Sequence, residues 1–437
     1  MTIHYVDTSM PTDGTGSEIN PYNTLTSVTT ADGDTVLIKT GSTILRNQAG
    51  VIFYSANFLS KNNLTVGEYG TGEKPIFDGG VLHPHTDFVQ DGVVWYLQFT
   101  ALHGVINRMG NISEDGLKMN FYTWVSLADA KANMAEGQFS LDFANYRIYI
   151  KPTGGTITGR SYIASEIVHG IREDTVAGTV TNGLTMMNLV YTRLSGHGGV
   201  LGYKKNARFI GMEFNYIGGF WNTAGTIQAG NGLELTAGCS NIEIEDFTAN
   251  DIFDSAFTAQ VYELTRNSIE DISLNNASIA RCGLSGIELS CPQSATGTYQ
   301  TVKNVNVSNV VISDIAPNSS GSTRWDYNWS GYRGGYALNL TNNGGATNKI
   351  SGGNIHDVAI TNAFRMAATK DTYDINRFWN ISGNNITDTN IVSSTATDGQ
   401  AHQYTNFSDN LARTPSGIGK WVSTPGIAIP TRTILSR

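Results

Sequence analysis

Charge is scarce in this chain of 437 residues: 15% are Asp, Glu, Lys or Arg, and 28 Lys+Arg face 37 Asp+Glu, a formal net charge of −9. There is no Lys/Arg-rich run, which excludes nucleic acid as an expected partner, because that affinity rests on neutralising phosphates. No apolar run approaches the roughly 18 residues of a membrane helix, so membrane insertion is not expected. Cysteine is limited to Cys239, Cys282 and Cys291. Three cysteines without CxxC spacing form neither a disulfide framework nor a zinc site, and they read as small buried hydrophobes. Proline is limited to 10 residues. The start Met1-Thr-Ile-His-Tyr lacks the basic and apolar stretches of a signal peptide. Helical periodicity is missing apart from a turn near Ala128–Ala135. Phosphate loops, nucleophile elbows and calcium-binding nonapeptides are also missing.

What the chain has in abundance is Gly (48) and Asn (40). Both tolerate the left-handed backbone and punctuate short strands. From about residue 180 a template recurs: alternating apolar positions, an Asn or Gly, then a second short apolar stretch. It reads Leu184-Thr-Met-Met-Asn188, Phe209-Ile-Gly-Met-Glu-Phe214, Ile242-Glu-Ile244-Glu-Asp-Phe247, Ile272-Ser-Leu274-Asn-Asn-Ala277 and Val305-Asn-Val307-Ser-Asn-Val310. It returns at Ile350 and Trp379. Period-2 alternation marks half-buried strands, and units this short bury their apolar face only by stacking, so the repeats predict an all-β solenoid. Asn275, Asn276, Asn309, Asn384 and Asn385 fall at equivalent turns and predict hydrogen-bonded ladders between coils.

Four regions are expected. Residues 1–87 form an N-terminal cap and first coils. Residues 88–163 form an inserted β module, marked by Gly137-Gln-Phe-Ser-Leu-Asp142 and Tyr146-Arg-Ile-Tyr-Ile-Lys-Pro152, which read as a short antiparallel hairpin. Residues 164–394 are the central helix of strands, and 395–437 an extended C-terminal cover spaced by Pro415, Pro425 and Pro430.

The opening combines Tyr5-Val-Asp, a Gly loop, Pro21-Tyr-Asn-Thr-Leu and Gly33-Asp-Thr-Val-Leu-Ile-Lys. It resembles the start of right-handed parallel β-helix proteins that act on polysaccharides. The Gln138–Lys151 hairpin is similar to an insert in several of them. The stretch from Gly230-Asn-Gly-Leu-Glu-Leu to Asp254-Ser-Ala-Phe-Thr-Ala-Gln260 resembles phage tailspike depolymerases. The resemblance implies a right-handed single-stranded parallel β-helix and an extracellular or virion-borne place of action, without naming a reaction, since this fold hosts hydrolases, lyases and adhesins. It also implies a side-by-side homotrimer. With no signal peptide in this sequence, release by host lysis or a leader already removed is expected.

Aligning Gly232-Leu-Glu234-Leu, Ala256-Phe-Thr258-Ala, Gly286-Ile-Glu288-Leu and Ala337-Leu-Asn339-Leu places Glu234, Thr258, Glu288 and Asn339 in one outward column. Glu234 and Glu288 are then two coils apart, their backbones separated by about 10 Å. Leaning side chains bring the carboxylates within the ~6.5–9.5 Å of an inverting glycosidase. Asp254 enters the intervening coil beside them. The expected catalytic set is therefore Glu234, Glu288 and Asp254, in an endo-acting glycoside hydrolase without cofactor.

Expected substrate-binding residues are Trp221, Gln260, Asn339, Tyr203 and, in the aromatic loop 317–335, Trp325, Trp329 and Arg333. Exposed aromatic faces stack on sugar rings, and arginine suits an acidic one. The competing reaction is β-elimination on a uronate-containing glycan, with Lys204, Arg281 or His197 as the base and calcium implied only in that case. A non-catalytic glycan-binding spike is the third reading. The plain alternative for each outward Glu is solvated surface, and for each Trp a core position.

Overall fold

The computed structural model describes residues 1–45, 59–99, 110–122, 124–166, 169–173, 180–221, 228–236, 238–261, 268–291, 301–315, 336–342, 349–351, 353–361, 365–370, 380–387 and 408–411. The chain is an all-β parallel solenoid whose coils each contribute strands to three rows. The first row stacks Thr35–Lys39, Thr65–Tyr69, Thr185–Met187, Lys204–Ile210 and the leading halves of Ser240–Ile252, Ile269–Cys282 and Thr301–Ser313. The second stacks Thr43–Leu45, Ile76–Asp78, Val190–Leu194, Glu213–Ile217 and the trailing halves of the same long strands. The third stacks Ile171–Glu173, Gly199–Leu201, Leu233–Leu235, Ser255–Gln260, Ser285–Cys291, Tyr336–Asn342 and Arg365–Lys370.

Alternation sets this arrangement. Ile242 pairs with Ile272 and then Val305, and all three are buried, while Glu243 between two inward isoleucines is exposed. The inward side chains form one continuous apolar core from Val6 to Ile360. Within it Phe77, Tyr191 and Phe214 stack with centroids 4.7 and 5.6 Å apart. All three cysteines are free and buried. Burial pushes the Cys282 thiol far up, as expected of a packing residue rather than a reactive one.

The corners explain the asparagines. Asn188, Asp246, Asn276, Asn309 and Asp357 sit with φ of 54–55° at the bend between the first and second rows. This left-handed region is costly for most side chains and tolerated by Asn and Asp. Ladders follow: Asn241 donates to Asn206, which donates to Asn182; Asn276 donates to Asp246; Asn309 donates to Asn275. The side chains of Asn384 and Asn385 lie outside the described residues.

Between Gly80 and Ser165 the parallel order is interrupted by antiparallel sheets. One contains Gly80–Pro84, Ile112–Glu114, Leu117–Lys118 and Ser161–Ser165. The other includes the Gln138–Asp142/Arg147–Lys151 hairpin and the strands Phe88–Asp91 and Val94–Gln98. A short helix, Leu127–Asn133, is capped by Ser126, whose hydroxyl accepts from the Asp129 N–H. The module has its own apolar clusters, and Phe253 from a coil corner is a member of one of them. Asn111 ties the module to the coils by donating to the Gly218 carbonyl at 2.6 Å. At the other end, Ser408–Leu411 adds a parallel strand to Asn380–Thr387; the rest of 395–437 lies outside the described residues.

Candidate active site

The third row carries the column. Register pairs Arg172 with Val200, Val200 with Glu234, Glu234 with Thr258, Thr258 with Glu288 and Glu288 with Asn339. Leu233, Leu235, Ile287 and Leu289 flank the glutamates and enter the core, so the glutamates face the other way. That face is covered, not solvated. Glu234 is 2% exposed, Thr258 0%, Glu288 7% and Asn339 2%. Sequence alternation separates the two faces of a strand but carries no information about what lies over the outer one.

Burying two carboxylates is tolerable only when each finds partners. Asn231 Nδ2 donates to Glu234 Oε2 at 2.8 Å, and the Asn231 Oδ1 accepts from the Ser255 N–H at 3.0 Å. Ser255 Oγ in turn donates to Glu288 Oε2 at 2.7 Å and contacts Ser285 Oγ at 2.7 Å. Asn339 Nδ2 donates to Glu288 Oε1 at 3.1 Å. One hydrogen-bonded chain thus runs from Glu234 through Asn231 and Ser255 to Glu288. Thr258 lies between the two glutamates in register, and its Oγ1 is buried with no hydrogen-bond partner among the described residues.

At the Glu234 end, His197 Nδ1 lies 3.1 Å from Glu234 Oε2 and accepts from the Asn231 backbone N–H at 3.1 Å. Its ring stacks on His169 at 5.2 Å, and both imidazoles meet the Phe220 edge at 5.9 Å. Arg172 donates to His169 Nε2 at 3.1 Å. The tight corner is built of glycine: a Cβ on Gly198 would come 2.4 Å from the Gly232 carbonyl oxygen.

Asp254 is half-buried at the corner just before Ser255, its carbonyl accepting from Leu284 N–H at 2.9 Å. Gln260 ends the same strand, two residues beyond Thr258, and is partly exposed. Lys204, Arg281 and Tyr203 are engaged elsewhere. Lys204 is 1% exposed, and its ammonium donates to the Leu59 carbonyl at 2.9 Å and to Thr181 Oγ1. Arg281 makes two bonds to Asp251, at 2.9 and 2.8 Å, and that pairing holds its proton more firmly still. Tyr203 is buried at a left-handed corner, where its ring takes the space a side chain on Gly238 would need. Trp221 lies in a two-residue strand paired with Gln228, its side chain outside the described residues. Trp325, Trp329 and Arg333 lie outside them altogether. No cluster of metal-ligating side chains occurs among the described residues.

Sequence reasoning passed over Asn231, Ser255, His169 and Arg172. Asn231 stands three residues before Glu234, Ser255 three before Thr258 and Ser285 three before Glu288. That repeated offset is visible in the sequence once the column is aligned. The two histidines come from successive coils, and only the register brings them together.

No protein-family model matches the sequence, and no curated protein matches it. Among solved structures, the chain is similar to one described as a glycoside hydrolase, at 8% identity and a TM-score of 0.47, covering 89% of this chain and 96% of that one. A lacto-N-biosidase from Eubacterium ramulus gives 12% identity and a TM-score of 0.41, covering 94% and 68%. XylC in complex with xylose gives 10% identity and a TM-score of 0.43, covering 94% and 86%. At these scores the likenesses carry no argument about chemistry, which rests on the column alone.

Proposed function

We propose that the chain is a polysaccharide depolymerase, an endo-acting glycoside hydrolase that inverts the anomeric centre of a microbial surface or cell-wall glycan. The observation that supports this reading is the pairing of two buried carboxylates in one column with different surroundings. Glu288 receives a hydroxyl and an amide donor, the setting of an ionised carboxylate. Glu234 lies 3.1 Å from an imidazole nitrogen, so a proton can pass between oxygen and nitrogen there. We assign Glu234 the role of acid and Glu288 that of base.

In this mechanism Glu234 gives its proton to the glycosidic oxygen as that bond breaks. Glu288 takes a proton from the water whose oxygen attacks the anomeric carbon from the opposite face. Proton exchange with solvent then resets both groups. Thr258 Oγ1, placed between them, offers a donor and acceptor to the water or to a sugar hydroxyl. Asp254 and Gln260 flank the gap. Such a substrate lies outside cells, so the reading carries an extracellular or virion-borne place of action with it.

Cleavage requires that the covered face open to admit the glycan. The same burial favours a second reading, in which the polar chain only pins neighbouring coils and the protein binds glycan without cutting it. The test is a screen of purified glycans for release of reducing ends. Elimination would instead leave an unsaturated uronate absorbing in the near ultraviolet, with His197 and Arg172 as the column's base and cation. Binding without release would select the second reading.

A further inference from the structure

A cavity of about 380 Å³ opens between the second row of the coils and the four-stranded sheet of the inserted module, lined by none of the column's residues. Its size sits at the small end of the ~300–1,000 Å³ typical of small-molecule sites. The coil wall follows the register: Thr43 pairs with Ile76, Ile76 with Val190, and Thr192, beside Val190, with Asn215. Four coils spaced by about 4.8 Å make that wall about 14 Å long. Ser113 and Ile163 face it from the module.

The charged groups around the cavity are engaged with one another. Asp78 accepts from Arg193 Nε at 2.8 Å, from Arg193 Nη2 and from the Gly80 N–H at 2.9 Å. Asp251 holds Arg281 by two bonds, at 2.9 and 2.8 Å. The Lys118 ammonium nitrogen is shut off from water, with Asp251 and Arg281 as its charged neighbours. Asn111 gives its amide nitrogen to the Gly218 carbonyl, and its Oδ1 is buried. None of these groups is available to a ligand.

The neutral groups are available. Ser113, Thr192 and Asn215 are half-buried residues of the wall. Asn215 Oδ1 accepts from Asn250 at 3.2 Å, which leaves its Nδ2 as a donor. Ser113 Oγ, Thr192 Oγ1 and Asn215 Nδ2 have no hydrogen-bond partner among the described residues, and none of them is closed off from solvent. Ile76, Val190 and Ile163 are partly exposed between them. Tyr216, held at a left-handed φ of 56°, keeps 36% of its surface exposed at the rim.

We infer that this cavity binds a neutral disaccharide unit of a glycan, as a site separate from the glutamate column. The ligand's hydroxyls meet Thr192, Ser113 and Asn215, its C–H faces lie on Ile76, Val190 and Ile163, and one ring rests against Tyr216. The coil spacing of about 4.8 Å is close to the length one pyranose unit adds to a chain, so successive rings meet successive coils alike. A charged sugar finds no available countercharge here. A purely apolar ligand would bury three polar atoms without partners. The inference does not depend on the column being catalytic.

Calorimetric titration of the full chain with lactose, cellobiose and maltose tests it. At least one should bind, and its affinity should hold when salt is raised to about 0.5 M, since no charge takes part. Thr192→Val removes one hydroxyl at nearly constant shape and should weaken that binding about three- to tenfold at an unchanged melting temperature. Tyr216→Asn, which keeps a residue that tolerates the corner, should weaken it about threefold or more. Glu234→Gln should leave it unchanged, which separates this site from the column. Absence of binding to all three sugars, affinity that falls with salt, full affinity in both folded cavity variants, or loss of binding in Glu234→Gln would overturn the inference.

Discussion

Glu234 Oε2 and His197 Nδ1 lie 3.1 Å apart, and the same nitrogen accepts the Asn231 backbone N–H at the same distance. A carboxylate has no proton to offer an unprotonated nitrogen, so the approach is attractive when one proton lies between the two atoms. That contact distinguishes Glu234 from Glu288, which accepts from the Ser255 hydroxyl and the Asn339 amide.

Replacing His197 by Phe keeps a ring against His169 and Phe220 but removes the nitrogen. Turnover on the cleaved glycan should fall roughly 10²-fold, within the range for a disturbed acid–base group, while KM stays near the parent value. Initial rates across substrate concentration check the split. An equal change in both parameters would place His197 in binding instead.

The asparagine ladders contribute to stability. Asn241 has φ of 53° and donates to Asn206 in the coil below. Asn241→Ala loses the bond and strains the corner, at about 1–3 kcal/mol together. Asn241→Gly loses only the bond and should cost less, because glycine accepts the conformation freely. Chemical denaturation of the two variants orders them.

Phe253 is 1% exposed and belongs to the inserted module's apolar cluster although its backbone is a coil corner. Phe253→Ala should destabilise by about 3–5 kcal/mol, the usual effect of a large core truncation. Hydrogen exchange should show protection lost first across residues 80–165. Since Asp254 and Ser255 follow directly, turnover should fall as well.

Lys118 gives a pH signature. Desolvation lowers its pKa to about 8, opposed by Asp251 and reinforced by Arg281, with Arg193 and Asp78 across the cavity. An unfolded lysine titrates near 10.4, so between pH 8 and about 10.4 the unfolded state binds more protons and stability rises with pH. Below pH 8 the burial penalty is present in full. Thermal melts from pH 7 to 10 should show this rise, and Lys118→Met should remove its contribution and melt higher at pH 7.

The coil register was legible because Ile242, Ile272 and Val305 each start the same alternation, and the structure pairs them. The four-residue column follows from that register and the repeated apolar flanks. Its burial was not legible, because alternation separates the two faces of a strand without encoding what lies over the outer one. Lys204 shows a second limit: following left-handed Tyr203, it turns inward to reach the Leu59 carbonyl, against the ordinary expectation for lysine. The partners of Glu234 were invisible for a third reason, since His197 and His169 stand 28 positions apart and meet only through coil stacking.

The most direct test follows reducing ends and near-ultraviolet absorbance together during glycan digestion by the parent chain and by Glu234→Gln. The account predicts reducing ends without a new chromophore. It also predicts a loss of about 10²-fold or more in the variant at an unchanged melting temperature. An unsaturated uronate product, or a Glu234→Gln variant that cuts as fast as the parent, would contradict it.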